Sequence, residues 1–308
     1  MKWLRRLVVG WALYRLLAPE WVPSFGPGQQ SPLRLPGRSV FVGDREIFVR
    51  ETGPADAHPL VLIHGWGDHS LVVFGKLIPL LAERYRVVAI DSRNNGKSDS
   101  VRGEYEIATM ADEVAGVLDQ LGIPRATVFG YSMGGMVTQA LAQRHPNKVE
   151  HIILSGTGAA GPATDPPLSV LAMIGATLAR AGERVSRTEV SWLRTRYLLR
   201  VGAIEPEHAL WFYTQHRNRD VDAYWEAGAT LGRFDSRDWV GRLDVPSLVI
   251  IMCNDQLWPP SFQYDLAARL KDPVVVEVPG ARHEGPLTHP QRMASAIDDF
   301  ISSVAVNR

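Results

Sequence analysis

The stretch VFGYSMGGM, residues 128–136, sets Ser132 among Gly130, Gly134 and Gly135 directly after a run of strand-forming residues. Glycine is required where a backbone turns sharply or another segment passes close, and a serine raised on such a turn can act as a nucleophile. The same residues also read as an ordinary turn, because glycine and serine punctuate chains of every kind. A serine hydroxyl is a poor nucleophile until a base takes its proton, which a neutral histidine can do near neutral pH. Candidate partners are spread along the chain: His64-Gly65 closes the run PLVLI, Asp255 follows SLVIIMCN, and His283 follows PVVVEVPGAR. Taken singly, each is a polar residue after a strand, the usual place of a turn former or helix cap.

The elements around these residues give them a common position. Residues 59–65, 86–92, 126–132, 149–156, 247–253 and 273–279 are continuous apolar runs, the pattern of strands buried on both faces. Residues 39–42 and 46–51 flank Gly43-Asp44 as a hairpin. Helical spacing runs through 71–84, 105–121, 136–144 and 287–304. The alternation predicts an α/β fold: a mostly parallel, eight-stranded open sheet with helices on both faces and right-handed crossovers. In such a sheet the loops at the carboxyl ends of the strands share one crevice, and His64, Ser132, Asp255 and His283 all fall there. Residues 157–243 hold no buried-strand run but several helical stretches rich in arginine and aromatics. They read as a helical cap inserted in a core of residues 38–156 and 244–308, with 19–37 as a Pro/Gly-rich linker.

With H-G-W-G at 64–67, G-Y-S-M-G-G at 130–135 and the chain order Ser…Asp…His, residues 38–303 resemble the alpha/beta-hydrolase superfamily, in its capped, esterase- or lipase-like form with a serine nucleophile. The resemblance implies Ser132 as nucleophile, His283 as general base and then general acid, and Asp255 as the carboxylate that orients the imidazole. It also implies an oxyanion hole from the main-chain N–H groups of Trp66 and Met133. Trp66 is equally a candidate wall of the acyl pocket or a filler beneath the cap. His64 reads as a brace for the oxyanion loop. DSRNNGKSD, residues 91–99, resembles the family's D-x-R-G-x-G-x-S loop, with Asn94 where a glycine is usual and Asn95 where a histidine is common. Asparagine tolerates the left-handed conformation, so this loop is expected to be structural. Of the rivals, His289 begins a helix at Pro290, Asp235 and Asp238 sit in the cap, Asp265 lies in a helix, and Asp165 comes well after its strand.

In that superfamily epoxide hydrolases and haloalkane dehalogenases present aspartate at the elbow, so serine points to acyl transfer to water. The leading expectation is hydrolysis of a carboxylic ester of an apolar small molecule through an acyl-enzyme, with Trp66, Trp192 and Trp211 as candidate substrate-binding residues. A carbon–carbon hydrolase or lactonase on the same triad is the alternative, and Arg194, Arg196, Arg217 and Arg219 could then bind a substrate carboxylate. A non-catalytic receptor on the same fold is the alternative of another class. No metal or organic cofactor is implied. Lysine plus arginine and aspartate plus glutamate balance at 33 each among 308 residues, so no global field attracts nucleic acid. The only cysteine, Cys253, allows no internal disulfide, which fits a reducing, cytoplasmic compartment. Residues 1–18 combine basic residues with an apolar run too short to span a bilayer. They read as an amphipathic helix lying in a membrane interface, as a helix docked on the protein's own surface, or as a secretory signal. Nothing in the sequence fixes the oligomeric state.

Overall fold

The computed structural model describes residues 31–103, 105–161 and 168–306, with Gly10, Phe25 and Thr164 as isolated positions. Apart from Gly10, the amphipathic segment 1–18 lies outside the described residues, as does Asp165. The strands are β1 (Arg38–Val42), β2 (Arg45–Thr52), β3 (Pro59–Ile63), β4 (Arg86–Asp91), β5 (Ala126–Tyr131), β6 (Val149–Ser155), β7 (Ser247–Met252) and β8 (Val274–Val278). They form one eight-stranded sheet in the order β1-β2-β4-β3-β5-β6-β7-β8. The β1–β2 and β2–β4 pairs are antiparallel and the rest are parallel.

Successive side chains of a strand point to opposite faces, so a strand covered on both sides must be apolar throughout. Val61, Ile63, Val88, Ile90 and Val128 face one layer, made by α3 (Ile107–Gln120), α4 (Met133–Arg144) and α8 (Pro260–Arg269). Leu60, Leu62, Val87, Ala89 and Phe129 face the other, with α1 (Ser70–Phe74), α2 (Ile78–Leu81) and α10 (Pro290–Val306). Between β6 and β7 lie α5 (Leu168–Arg200), α6 (Ala209–Asn218) and α7 (Val221–Arg233), and among the described residues this interval adds only the single bridge Ala160–Asp235 to the β structure. The short α9 (Gly285–Thr288) precedes α10. No helix among the described residues is long and apolar enough to cross a membrane.

Three elements differ from the pattern read in the sequence. The helical spacing over 71–84 belongs to two short helices, because α1 ends at Gly75, whose N–H returns to the Leu71 carbonyl. Helix α4 starts three residues before Met136, directly behind Ser132. Strand β8 is not buried: Val274 and Val275 are each 43% exposed and only Val278 is enclosed. Among the described residues it forms the edge of the sheet, paired with β7 alone, and a run of valines reads the same at an edge as in the middle.

Candidate active site

Strand β5 passes into α4 through a single residue, Ser132, with φ 55° and ψ −122°. The corner closes because two neighbours have no Cβ: one at Gly134 would lie 2.1 Å from the Ile63 carbonyl oxygen, and one at Gly130 would lie 2.3 Å from that of Gly134. The tight turn expected of this stretch is present, and it raises Ser132 at its tip. The tight corner aims Ser132 out of the end of the sheet, into the crevice shared by the β3, β7 and β8 loops.

There the Ser132 Oγ lies 3.1 Å from His283 Nε2, and His283 Nδ1 lies 2.8 Å from Asp255 Oδ2. With Nδ1–H donating to the carboxylate, Nε2 is left to accept the serine hydroxyl proton. Asp255 is itself held: its Oδ1 accepts the N–H groups of Leu257 and Trp258, each at 2.8 Å. Of the rival acids, Asp235 pairs with Arg237, Asp265 pairs with Arg269, and Asp238 stands exposed in a turn. His289 Nδ1 lies 2.9 Å from Thr288 Oγ1 at the start of α10.

Two supports have no signal in sequence beyond their neighbourhood. The Tyr131 hydroxyl donates to the main-chain carbonyl of His283 at 2.6 Å, and burial pushes its phenol well above the ordinary range, so it stays a neutral donor. Its place beside the serine was its only mark. Gln263, fully buried on α8, accepts the Met252 N–H at 3.0 Å and donates to the Trp258 carbonyl at 2.7 Å, fixing the turn that carries Asp255. A lone glutamine in a helix looks like a surface residue, and nothing in its spacing says otherwise.

Met133 and Trp66 present main-chain N–H groups that have no acceptor among the described residues. Met133 is the first residue of α4, where the helix dipole adds to the N–H. His64 is fully buried, and burial pushes it below its ordinary value, which keeps the ring neutral. Its Nε2 accepts the Ser92 N–H at 2.9 Å and its Nδ1 donates to the Gly65 carbonyl at 2.8 Å, so it braces the loop leading to Trp66. The 91–99 loop is structural: Asp91 accepts from Arg50 and Ser70, and Asn94 adopts φ 62° in place of a glycine.

Ser132 and His283 stand in the wall of a cavity of about 1080 Å³ between α5, α7 and the sheet. Its other walls are largely apolar, with Trp66, Leu198, Trp225, Leu231, Trp258 and Phe262 among them. Trp192 and Trp211 do not line it. Trp192 lies under the Arg196 guanidinium, and Trp211 packs edge-on against Phe212 and His69. Helix spacing does not reveal which face turns inward, so the aromatic content of these helices could not separate wall from packing. Arg194 does line the cavity, but both oxygens of Asp68 engage it, at 2.8 and 2.7 Å. Arg219 pairs with Glu183 out of solvent. No cluster of residues that could hold a metal ion occurs among the described residues.

A model of the family described as alpha/beta hydrolase fold matches residues 58–290. Over 260 residues the chain is 30% identical to a pimeloyl-[acyl-carrier protein] methyl ester esterase of Neisseria meningitidis, with 82% of this chain and 96% of that one aligned. A hydrolase from Pseudomonas aeruginosa superposes with a TM-score of 0.74 at 25% identity, covering 86% of this chain and 98% of that one. An enol-lactonase from Burkholderia xenovorans does so with a TM-score of 0.74 at 25% identity, covering 86% and 99%.

Proposed function

Since the chain belongs to the alpha/beta hydrolase fold family, we propose that it is a serine hydrolase that cleaves a carboxylic ester of an apolar small molecule through an acyl-enzyme intermediate. The observation that carries this reading is the hydrogen-bonded run Ser132–His283–Asp255 opening on an apolar cavity. His283 Nε2 takes the serine proton as Oγ bonds to the ester carbonyl carbon, and Asp255 stabilises the imidazolium. The oxyanion is received by the N–H groups of Met133 and Trp66. Collapse expels the alcohol, which leaves with the proton held by His283. Water, deprotonated by the same ring, then attacks the acyl-enzyme, releases the carboxylic acid and regenerates Ser132. Helices α5–α7 act as the cap over this site.

The relative named as a methyl ester esterase supports ester chemistry. A lactone is the second reading, favoured by the likeness to an enol-lactonase, and the same acyl-enzyme serves it. Carbon–carbon cleavage of a carboxylate-bearing diketone is less well supported, because Arg194 and Arg219 are already committed to Asp68 and Glu183. Fluorophosphonate labelling should add one adduct to the wild-type mass and none to Ser132→Ala; unchanged labelling of the variant overturns the proposal. A panel of esters of graded acyl length, one lactone and one carboxylate-bearing diketone then assigns the substrate class.

A further inference from the structure

Trp66 is held from two directions by parts of the chain far apart in sequence. On the core side, His64 bonds the Ser92 N–H and the Gly65 carbonyl, as described above. On the other side, the Trp66 indole N–H donates to the Tyr224 carbonyl at 2.5 Å. Its ring stacks on Tyr224 with centroids 4.2 Å apart and 16° between planes, and Trp225 meets it edge-on at 5.6 Å. Two glycines make this interlock fit. A Cβ at Gly228, on α7, would lie 2.6 Å from Trp66 Cζ2, and a Cβ at Gly67, where φ is 75°, would lie 2.1 Å from Tyr224 Cε2. The next residue, Asp68, is clasped by Arg194 of α5 through both oxygens.

Helix α7 is in turn anchored by a buried polar group. Trp225 Nε1 donates to Glu183 at 3.1 Å, and Arg219 pairs with the same carboxylate while its guanidinium lies 4.1 Å from the Tyr224 ring centroid. Residues 66, 67 and 68 thus each meet the cap, while 64 and 65 belong to the core. The main-chain direction of the Trp66 N–H is set where those two sets of contacts meet.

We infer that α7 is a positioning element for the oxyanion site: through Tyr224 and Gly228 it fixes the Trp66 indole, and so aligns the Trp66 N–H only when the cap is seated. The inference rests on the serine-hydrolase reading above, in which that N–H receives the oxyanion. Tyr224 and Gly228 touch no reacting atom, and they act on the reaction by way of Trp66.

The test uses the full chain and the variants Trp66→Phe, Tyr224→Leu and Tyr224→Phe, assayed with a 4-nitrophenyl ester and with an aryl trifluoromethyl ketone, whose hemiketal oxyanion needs the same donors. In Trp66→Phe and Tyr224→Leu, kcat should fall by about 10- to 100-fold with KM nearly unchanged, since small misplacements of a catalytic group reach about that size. Affinity for the ketone should fall in parallel. Tyr224→Phe keeps the ring and the carbonyl and should retain the wild-type kcat. If Tyr224→Leu does not fold, Trp66→Phe carries the test, because it deletes the indole donor and keeps an aromatic ring. A rise in KM at unchanged kcat means that the Trp66 indole serves substrate binding alone and overturns the inference, as does a Tyr224→Phe variant with kcat reduced as far as in Tyr224→Leu. Continued labelling of Ser132→Ala overturns the underlying reading and this one with it. Lost labelling there, with undiminished kcat in Trp66→Phe and Tyr224→Leu, overturns this one alone.

Discussion

The hydroxyl of Tyr131 and the main-chain carbonyl of His283 join the residue before Ser132 to the loop that carries the imidazole, across a hydrogen bond of 2.6 Å. Tyr131→Phe removes the donor and leaves a carbonyl unmatched, at a cost of about 1–3 kcal/mol to stability. The freed loop lets the imidazole drift from Ser132, so kcat/KM should fall by roughly tenfold. Chemical denaturation and steady-state kinetics of the one variant read both effects; full activity would show that the loop is held by other contacts.

Asp255→Asn should leave the fold intact and the chemistry poor. The amide retains an oxygen for the Leu257 and Trp258 N–H groups, but the group facing His283 Nδ1 is no longer an anion. In triads of this kind that exchange reduces turnover on the order of 10⁴-fold, since the imidazole then takes the wrong tautomer. Ester turnover within tenfold of the wild type would remove Asp255 from the proposed mechanism.

Gln263→Leu is nearly the same size, yet it strands two groups. The Met252 N–H and the Trp258 carbonyl both lose their partner inside the protein, and a loss of about 2 kcal/mol or more is expected. Because Trp258 shares the turn with Asp255, kcat should drop as well. A variant as stable as the wild type in urea would mean that water or a local shift replaces the amide.

Acidification should destabilise the protein before any carboxylate titrates. His64, His69 and His216 are buried, and burial pushes each below its ordinary value, with the charges of Arg194, Arg219 and Arg187 adding to the effect at His216. Below about pH 6.5 the unfolded chain takes up protons at these rings that the folded chain refuses, so stability present at pH 7 is lost as pH falls. Each ring contributes up to about 1.4 kcal/mol per pH unit. The thermal midpoint should decline from pH 7 to 5, and the slope should be shallower in His69→Gln, which keeps a donor for Gln215. A midpoint that is flat or rises over that interval counts against buried neutral rings.

Gly134 beside Ser132 and Gly182 in α5 should respond in opposite ways to alanine. Gly134→Ala drives a Cβ onto the Ile63 carbonyl, a backbone atom that cannot swing aside, and soluble folded protein should be lost. At Gly182 of α5 a Cβ would meet nothing within 4 Å, so alanine there should be neutral or stabilise by up to about 1 kcal/mol. Comparing the soluble yield and melting of the two variants tests the steric account of the elbow.

The sheet and the order of the site residues were legible because both follow from local rules. A strand covered on two faces must be apolar at every position, and a strand-to-helix corner of one residue needs glycines beside it. What escaped was set by contacts between distant segments. Trp66 and Tyr224 lie 158 residues apart, as Tyr131 and His283 lie 152 apart, and no pattern within a window of helix or strand length encodes such a meeting. Trp192 and Trp211 looked like pocket walls because aromatic content does not say which way a helix is turned. The valines of β8 read as buried because whether an edge strand is covered depends on other segments and not on its own residues.

Ser132 takes a backbone conformation, φ 55° with ψ −122°, that few side chains adopt without strain. A glycine in its place would relax the corner by about 1–3 kcal/mol and remove the hydroxyl on which the proposed acyl transfer depends. In the proposed mechanism, durability and reactivity are thus set against each other in one pair of torsion angles, and the packing of the sheet around that corner is what lets the less stable choice stand.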